Sequence, residues 1–191
     1  MQPANRHALK EWAAICHALR AGRQTLLLRS GGIADSGAGF QVEHDEFWLF
    51  ATRFHQSADE LAEDAAPFLE AVSESSPPHG MVRLPLYATV EQVHHIHNAD
   101  HLARLAGQHI LAPQTVLNRF HYRQPGLTVL VIRAHVPPCP IELHEAEHFA
   151  GCHSWVELPS ALPTDDVQPV LAEDDFATRA ETIAGLLATL Q

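Results

Sequence analysis

The sequence predicts an α+β fold, with a mixed or mainly antiparallel sheet and flanking helices in a single compact domain over residues 1–191. Long apolar runs, above all LTVLVIRAHV at 127–136, are typical of buried strands, and apolar residues at helical spacing mark both ends of the chain. Helices interrupt the strands without the regular rhythm of βαβ units, which favours the α+β class. A length of 191 residues suits one domain.

The first elements follow from apolar spacing and from glycine. Apolar residues at helical spacing predict a helix over about 6–21, and Gly22 is expected to cap its C-terminus. QTLLLR at 24–29 predicts a buried strand. The glycine-rich SGGIADSGAG at 30–39 predicts a loop.

A second strand and a second helix are expected next. FWLFAT, which begins at Phe47, has the composition of a strand. Ser57 and Glu60 have the spacing of a capping box, so a helix should begin there and should be kinked or shortened at Pro67. SESSPPHG at 73–80 is the best candidate for an internal linker.

The second half predicts further strands and two helices. MVRLPLYA predicts a strand that Pro85 places at a sheet edge or a bulge. A helix is expected from 90 to about 106, and HSWVEL at 153–158 predicts a strand that follows the one at 127–136. The acidic, proline-containing segment 163–175 should lie on the surface before a C-terminal helix.

Composition argues against several functions. Twelve basic and 23 acidic residues give a formal net charge of −11, so bulk attraction to a polyanion is not expected. Lys10 is the only lysine, and neither a phosphate-binding P-loop nor a G-x-S-x-G elbow occurs. No signal peptide or membrane span is visible, and three cysteines without a C-x-x-C pair fit reduced thiols, so we expect a cytoplasmic protein with no membrane partner.

Polar groups crowd the stretch FQVEHDEFWLFATRFHQ at 40–56. If Phe47 opens a strand, then Glu46 and Trp48 share one face of it. His44, Glu46 and His55 could then serve general acid/base chemistry or hold a divalent metal. The alternative is a charged strand edge that discourages aggregation.

Two arginines flank aromatic residues in RFHYRQPG at 119–126. The guanidinium groups of Arg119 and Arg123 could bind phosphate, while Tyr122 stacks on a base. A turn whose arginines pair with some of the many carboxylates is the alternative interpretation.

Two histidine-rich stretches have metal-ligand spacing. His144-Glu145-Ala146-Glu147-His148 matches H-E-x-x-H, which in zinc peptidases places two imidazoles one helical turn apart. Prolines before it and a glycine after it leave room for only a short helix, so a solvated acidic loop competes with the metal site. HHIHNADH at 94–101 would place three imidazoles on one helix face, or it is simply a polar face.

Several motifs together resemble a bacterial family known as domain of unknown function 1802. They are ALKEWA, LLLRSGGI, F-x-V-E-H-x-E-F-W-L-F, R-F-x-Y-R-x-P-G-L and GCHSWVEL, and they extend from about Leu9 to Leu158 and on towards the C-terminus. The resemblance assigns no activity and no catalytic residues. It implies a role near nucleic-acid processing, restriction–modification or defence, because members occur beside restriction-endonuclease-like domains. An E-x-K nuclease core is not visible with Lys10 as the only lysine.

The first functional hypothesis is a binding or accessory module for a phosphate-bearing ligand, such as nucleic acid or a nucleotide. Arg29, Arg119 and Arg123 would supply its positive charge, and His44 and Glu46 would orient the ligand.

The second hypothesis is a metal-dependent hydrolase that uses His44, Glu46 and His55 or, as a weaker alternative, His144 and His148 with Glu145 between them. The third is a structural or partner-binding protein without an active site.

Overall fold

The computed structural model describes residues 1–30, 40–54 and 56–188. The described strands are β1 (Ala4–Trp12), β2 (Leu26–Arg29), β3 (Glu46–Thr52), β4 (Met81–Leu84), β5 (Leu86–Ile96), β6 (Leu127–Val136), β7 (Ile141–His144), β8 (Trp155–Pro163) and β9 (Gln168–Pro169). The α-helices are α1 (Ala13–Arg20), α2 (Ala66–Glu74), α3 (Pro113–Phe120) and α4 (Glu173–Ala188). Short 3₁₀ helices cover Ala58–Glu60, Glu63–Ala65, Ala99–Leu105 and Glu147–Phe149.

A seven-stranded mixed sheet forms the centre of the molecule. Its order is β2-β6-β5-β3-β1-β8, and β9 adds to β6. The β1–β3 pair is parallel, whereas the other neighbours are antiparallel. β4 and β7 form a separate two-stranded sheet. The predicted α+β class with a mixed, mainly antiparallel sheet is therefore confirmed.

Both faces of the sheet are covered, because β3 sends apolar side chains to each of them. Phe47 and Leu49 join a large core with residues of all four α-helices. Trp48 and Phe50 join a smaller core with residues of β4 and Phe149. This alternation is the one expected for a strand.

The predicted helix over 6–21 is wrong in its first half. Residues Ala4–Trp12 form β1, and the helix covers only Ala13–Arg20. Strand pairing explains the difference. β1 lies between β3 and β8, and its backbone N–H and C=O groups form hydrogen bonds with those strands and not within a helix. The predicted cap is confirmed: Gly22 has φ of 65° and its N–H donates to Leu19 O at 3.0 Å.

The predicted helix from 90 to about 106 is also wrong. Leu86–Ile96 is a strand that pairs along its length with β6, and only a 3₁₀ helix over Ala99–Leu105 follows. The histidines of HHIHNADH therefore do not share a helix face. Pro85 separates β4 from β5, so it marks the point where the chain leaves one sheet for the other.

Other predicted elements are found close to their expected places. The strands at 24–29, 127–136 and 153–158 appear as β2, β6 and β8, and the C-terminal helix is α4. After Ser57 only a 3₁₀ turn forms. Pro67 neither kinks nor shortens a helix, because it lies in the first turn of α2, where a missing N–H costs nothing.

The main sheet is strongly curled. In strand order β2 and β1 are four steps apart, which in a flat sheet is roughly 19 Å. One side chain does not reach that far across a flat sheet. Arg29 at the end of β2 nevertheless places its Nη1 only 3.0 Å from Lys10 O in β1. The two edges of the sheet therefore approach each other at Arg29.

No helix in the described ranges is long and apolar enough to cross a membrane.

Candidate functional site

A buried carboxylate holds two arginines where the sheet edges meet. Glu11, the penultimate residue of β1, is 2% exposed. Its Oε2 accepts from Arg29 Nη1 at 3.0 Å, and its Oε1 lies 3.8 Å from Arg119 Nη2. Oε1 also accepts the backbone N–H of Trp12 at 2.8 Å. Glu11, Arg29 and Arg119 are called the Glu11 cluster below.

Each arginine is fixed by further acceptors. Arg29 donates to Lys10 O at 3.0 Å and to Ser154 Oγ at 2.9 Å, so it joins β2 to β1 and to the segment before β8. Arg119, in the last turn of α3, donates to Leu28 O at 2.9 Å. These hydrogen bonds hold each guanidinium plane in a fixed orientation. Such preorganisation favours bidentate binding of a phosphate or carboxylate group.

The cluster carries more positive charge than its contacts neutralise. Two guanidiniums share one carboxylate at contact distance, and both side chains are largely buried, with 13% and 16% exposed. Burial lowers the pKa of Arg119, and the charge of Glu11 opposes that shift, with a weaker contribution from Glu60. Arg29 Nε is buried and finds no acceptor among the described residues. The cluster therefore combines surplus positive charge with one donor that has no acceptor.

Aromatic rings border the two guanidiniums. The Arg119 guanidinium lies 4.5 Å from the centre of the Trp12 ring, and that of Arg29 lies 5.0 Å from the Phe40 ring. Trp155 packs against Phe40 at 5.9 Å, and His44 meets the edge of Trp155 at 5.1 Å. Trp12, Trp155 and His44 are only partly buried, so planar surfaces remain accessible beside the charges.

A neighbouring histidine adds no charge at neutral pH. His109 is buried, and its Nδ1 accepts from the Leu111 N–H at 3.2 Å. Burial, with the charges of Arg119 and Arg23, lowers its pKa to about 4. The surplus positive charge therefore belongs to the guanidiniums alone.

The structure brings together part of the predicted site. Arg29 and Arg119 meet at Glu11, and His44 reaches the same surface through Trp155. His44 also stacks on His7 with 3.6 Å between ring centres. Burial and the neighbouring His7 lower the pKa of His44, while Glu43 and Asp45 oppose the shift.

Glu46 has a different environment. Its Oε2 accepts from Tyr87 OH and from the Gln2 N–H, each at 2.8 Å, and these bonds help to lower its pKa against the effect of burial. No contact joins it to His44 among the described residues. His55, the third predicted member of that set, lies outside the described residues.

Among the described residues, neither Arg123 nor Tyr122 forms a hydrogen bond, ion pair or ring contact with the Glu11 cluster. Arg123 is exposed, has φ of 64° and places its guanidinium 5.5 Å from the ring of its neighbour Tyr122. Their role in ligand binding stays a prediction.

The H-E-x-x-H match does not form a zinc-binding helix. His144 ends β7, and His148 lies in a 3₁₀ turn with its Nε2 3.1 Å from Glu157 O. Across residues 1–30, 40–54 and 56–188, no group of three or more His, Cys, Asp or Glu side chains is arranged to hold a metal ion.

Sequence reasoning missed several residues that build the site. Glu11 and Trp12 fall within the predicted helix over 6–21, and Ser154 and Trp155 fall within the predicted strand at 153–158, so none of the four is predicted as a site residue. A signal for Glu11 did exist, because a single acidic residue lies between the apolar positions of LKEWAAI. Long-range contacts alone connect it to Arg29 and Arg119.

Comparisons with known proteins give one family and one set of distant folds. No curated protein matches the chain. The crystal structure of ASCH from Zymomonas mobilis is similar at 15% identity and a TM-score of 0.45, with 94% of each chain covered. A tyrosine-to-phenylalanine mutant of ZmASCH is similar at 15% identity and a TM-score of 0.48, covering 92% of this chain and 96% of the other. The family model described as Domain of unknown function (DUF1802) matches residues 8–182, so the chain belongs to that family.

Proposed function

We propose that the protein is a binding module for a phosphate-bearing ligand, a nucleotide or a short nucleic-acid segment, which it holds at the Glu11 cluster. The observation that carries this proposal is that Arg29 and Arg119 are both largely buried and share a single carboxylate at contact distance. Uncompensated charge in a desolvated place favours an anion strongly.

The chemistry of the surroundings suits phosphate and a planar ring. Guanidinium forks match phosphate oxygens, and Arg119 offers the N–H groups that it does not use in its hydrogen bond to Leu28 O. The Ser154 hydroxyl lies beside Arg29 and could donate a further hydrogen bond. Trp12 and Trp155 offer faces on which a base could stack. The location of the Glu11 cluster, where the edges of the curled sheet meet, is also typical of ligand sites, which often lie at the mouths of closed sheets.

The low charge of the whole molecule limits which ligands fit. With a net charge of −11, a long polyanion is repelled at a distance, so a small ligand or a short single strand is favoured over duplex DNA. We further propose that such a module recognises a ligand for a partner enzyme in restriction or defence. Lys10, the only lysine, donates from Nζ to Gly151 O, which does not suit an E-x-K nuclease core.

Tryptophan fluorescence tests the proposal directly, because Trp12 and Trp155 border the arginines. Titration with a nucleoside monophosphate and with a short single-stranded oligonucleotide should give saturable changes in emission, and the unphosphorylated nucleoside should give none. Arg119→Lys keeps the charge but removes the fork, so affinity should fall by about ten- to hundred-fold, the loss of one charge-assisted hydrogen bond.

Arg104→Ala, at an exposed position on the 3₁₀ helix Ala99–Leu105, is the control and should leave affinity unchanged. Equal binding of the nucleoside and its phosphate, or no saturable signal with any of these ligands, would refute a phosphate site at the Glu11 cluster.

A further inference from the structure

A second concave surface lies on the other side of the β1–α1 junction. It is a cleft of about 610 Å³ between α1, the end of β3, the end of α2 and the start of β4. Thr52 lies in its wall and donates from Oγ1 to Glu11 O at 3.2 Å, so the cleft is adjacent to the Glu11 cluster but separate from it. None of the predicted ligand-binding residues lines it.

Three of the arginines of this acidic protein line the cleft. They are Arg20, Arg53 and Arg83, and Glu145 is the only acidic residue in the described lining. Arg83 is neutralised, because its Nε donates to Glu142 Oε1 at 3.1 Å. In the described part of the chain neither Arg20 nor Arg53 forms an ion pair. The cleft is therefore a positive region on a molecule with a net charge of −11.

Local structure explains only part of this arrangement. Cations are favourable at a helix C-terminus, and Arg83 and Arg53 do contact the end of α2: Arg83 donates to Ser75 O, and Arg53 donates to Ser76 Oγ at 2.7 Å. Arg20 lies in the last turn of α1, where a cation is also favourable, and its Nη1 donates a long hydrogen bond of 3.4 Å to Pro85 O. The two helix C-termini therefore account for the positions of these arginines, but they explain neither the open volume beside them nor why Arg20 and Arg53 form no ion pair in the described part of the chain.

The remaining walls are apolar. Phe50, Val72 and Val82 are buried in the floor, and Phe54 stands at the mouth with 78% of its surface exposed. Inside, His17 Nε2 lies 2.9 Å from Ser75 Oγ, and burial with the charges of Arg20 and Arg83 lowers the pKa of His17. A neutral imidazole and a hydroxyl thus supply hydrogen bonds without adding charge. Apolar walls with a few convergent polar groups are characteristic of small-molecule sites.

We propose that this cleft is a second ligand site, specific for a small organic anion that has a flat apolar body. Its acidic group, a phosphate, sulfonate or carboxylate, pairs with Arg20 and Arg53 near the mouth. Its apolar part lies against Phe50 and Phe54. The cleft volume of about 610 Å³ falls in the range of small-molecule pockets.

A pair of fluorescent probes tests the proposal, because they differ chiefly in the anionic group. 8-Anilinonaphthalene-1-sulfonate carries a sulfonate, and N-phenyl-1-naphthylamine is its neutral counterpart. The folded full chain should bind the sulfonate probe saturably at one site. In the Arg20→Ala/Arg53→Ala double variant its Kd should rise by about tenfold or more, while the Kd of the neutral probe should change by less than about twofold.

Two control variants locate the bound probe. Arg104→Ala removes an exposed arginine outside the cleft, and Arg29→Lys alters the Glu11 cluster, so both should leave the Kd of the sulfonate probe unchanged. An unchanged Kd in the double variant, equal weakening of both probes, or loss of sulfonate binding in Arg29→Lys would overturn the proposal. If the Arg20→Lys/Arg53→Lys variant binds the sulfonate probe with a Kd close to that of the parent protein, the positive charge of these side chains, and not their shape, accounts for the binding.

Discussion

At the scale of single residues, Glu11 has the largest consequences. Its carboxylate is nearly inaccessible and contacts two guanidiniums that come from β2 and α3. Burial of a carboxylate is costly unless it is paired, and pairing here joins segments that are distant in the sequence. The residue therefore has a structural role and also defines the site.

Replacement of Glu11 by Gln leaves two largely buried guanidiniums without their counter-charge. We expect the free energy of unfolding to fall by about 3–5 kcal/mol, measured by urea denaturation. Added sulfate or phosphate should then raise the melting temperature of Glu11→Gln more than that of the parent protein, since an anion replaces the missing charge.

Asp64→Asn is the matched control, because Asp64 forms an exposed ion pair with Arg23 at 2.9 Å. It should cost less than about 1 kcal/mol, and the anion should raise its melting temperature no more than that of the parent protein. If sulfate stabilised parent, control and Glu11→Gln equally, the surplus charge of the cluster would not be accessible to anions.

At the scale of elements, the junction of β1 and α1 organises both proposed sites. The strand delivers Glu11 and Trp12 to one side, and the helix that begins at Ala13 delivers His17 and Arg20 to the other. The helix has no side-chain cap from Trp12, and the Ala14 N–H instead donates to Gln56 Oε1 at 3.1 Å. At its other end Gly22 follows, where the chain turns towards β2.

Gly22→Ala tests how strictly this turn is required. Gly22 has φ of 65°, and an added Cβ would lie 2.8 Å from Leu171 Cδ2. We expect a loss of about 1–2 kcal/mol from the left-handed backbone alone, since the Leu171 side chain can shift. Chemical denaturation measures it.

Gly185→Ala, at an exposed position on α4 where the added Cβ has no heavy atom of the described residues within 4 Å, is the opposite case. It should stabilise the protein by about 0.5–1 kcal/mol. A stable Gly22→Ala protein would show that the end of α1 tolerates other geometries.

At the scale of the whole molecule, buried and partly buried histidines make stability dependent on pH. Burial is the largest cause that lowers the pKa of six histidines, namely His17, His44, His94, His109, His135 and His153. A histidine with a lowered folded-state pKa binds its proton first in the unfolded chain. Its contribution to stability is therefore complete above about pH 6.5 and is lost as pH falls through the folded-state pKa.

His109 should dominate this effect, because its pKa is lowered to about 4. Between pH 7.5 and pH 5 it should remove about 2 kcal/mol from the free energy of unfolding. Urea denaturation at several pH values checks the slope. His109→Asn retains an acceptor for the Leu111 N–H and should flatten it. An equally steep slope in His109→Asn would assign the pH dependence to other groups.

Local composition was enough for much of the fold. Apolar runs predict β2, β3, β6 and β8, because a buried strand requires apolar residues. Gly22 predicts the end of α1, because the left-handed backbone there favours glycine. Two of the errors, at 6–12 and 90–96, fall where apolar spacing fits a helix but strand pairing prevails. Both are tertiary effects that a local pattern does not contain.

The sequence by itself determined the α+β class, the acidic surface, the absence of P-loop and serine-elbow motifs, and the family resemblance. Only the tertiary structure decided which polar residues act together. It joined Arg29 and Arg119 through Glu11 and placed Arg20 and Arg53 around a cleft, whereas Arg123 and Glu46 contact neither Arg29 nor Arg119 in the described part of the chain. The physical reason is that curling of the sheet brings its two edges together, and that closure depends on contacts between residues far apart in the chain.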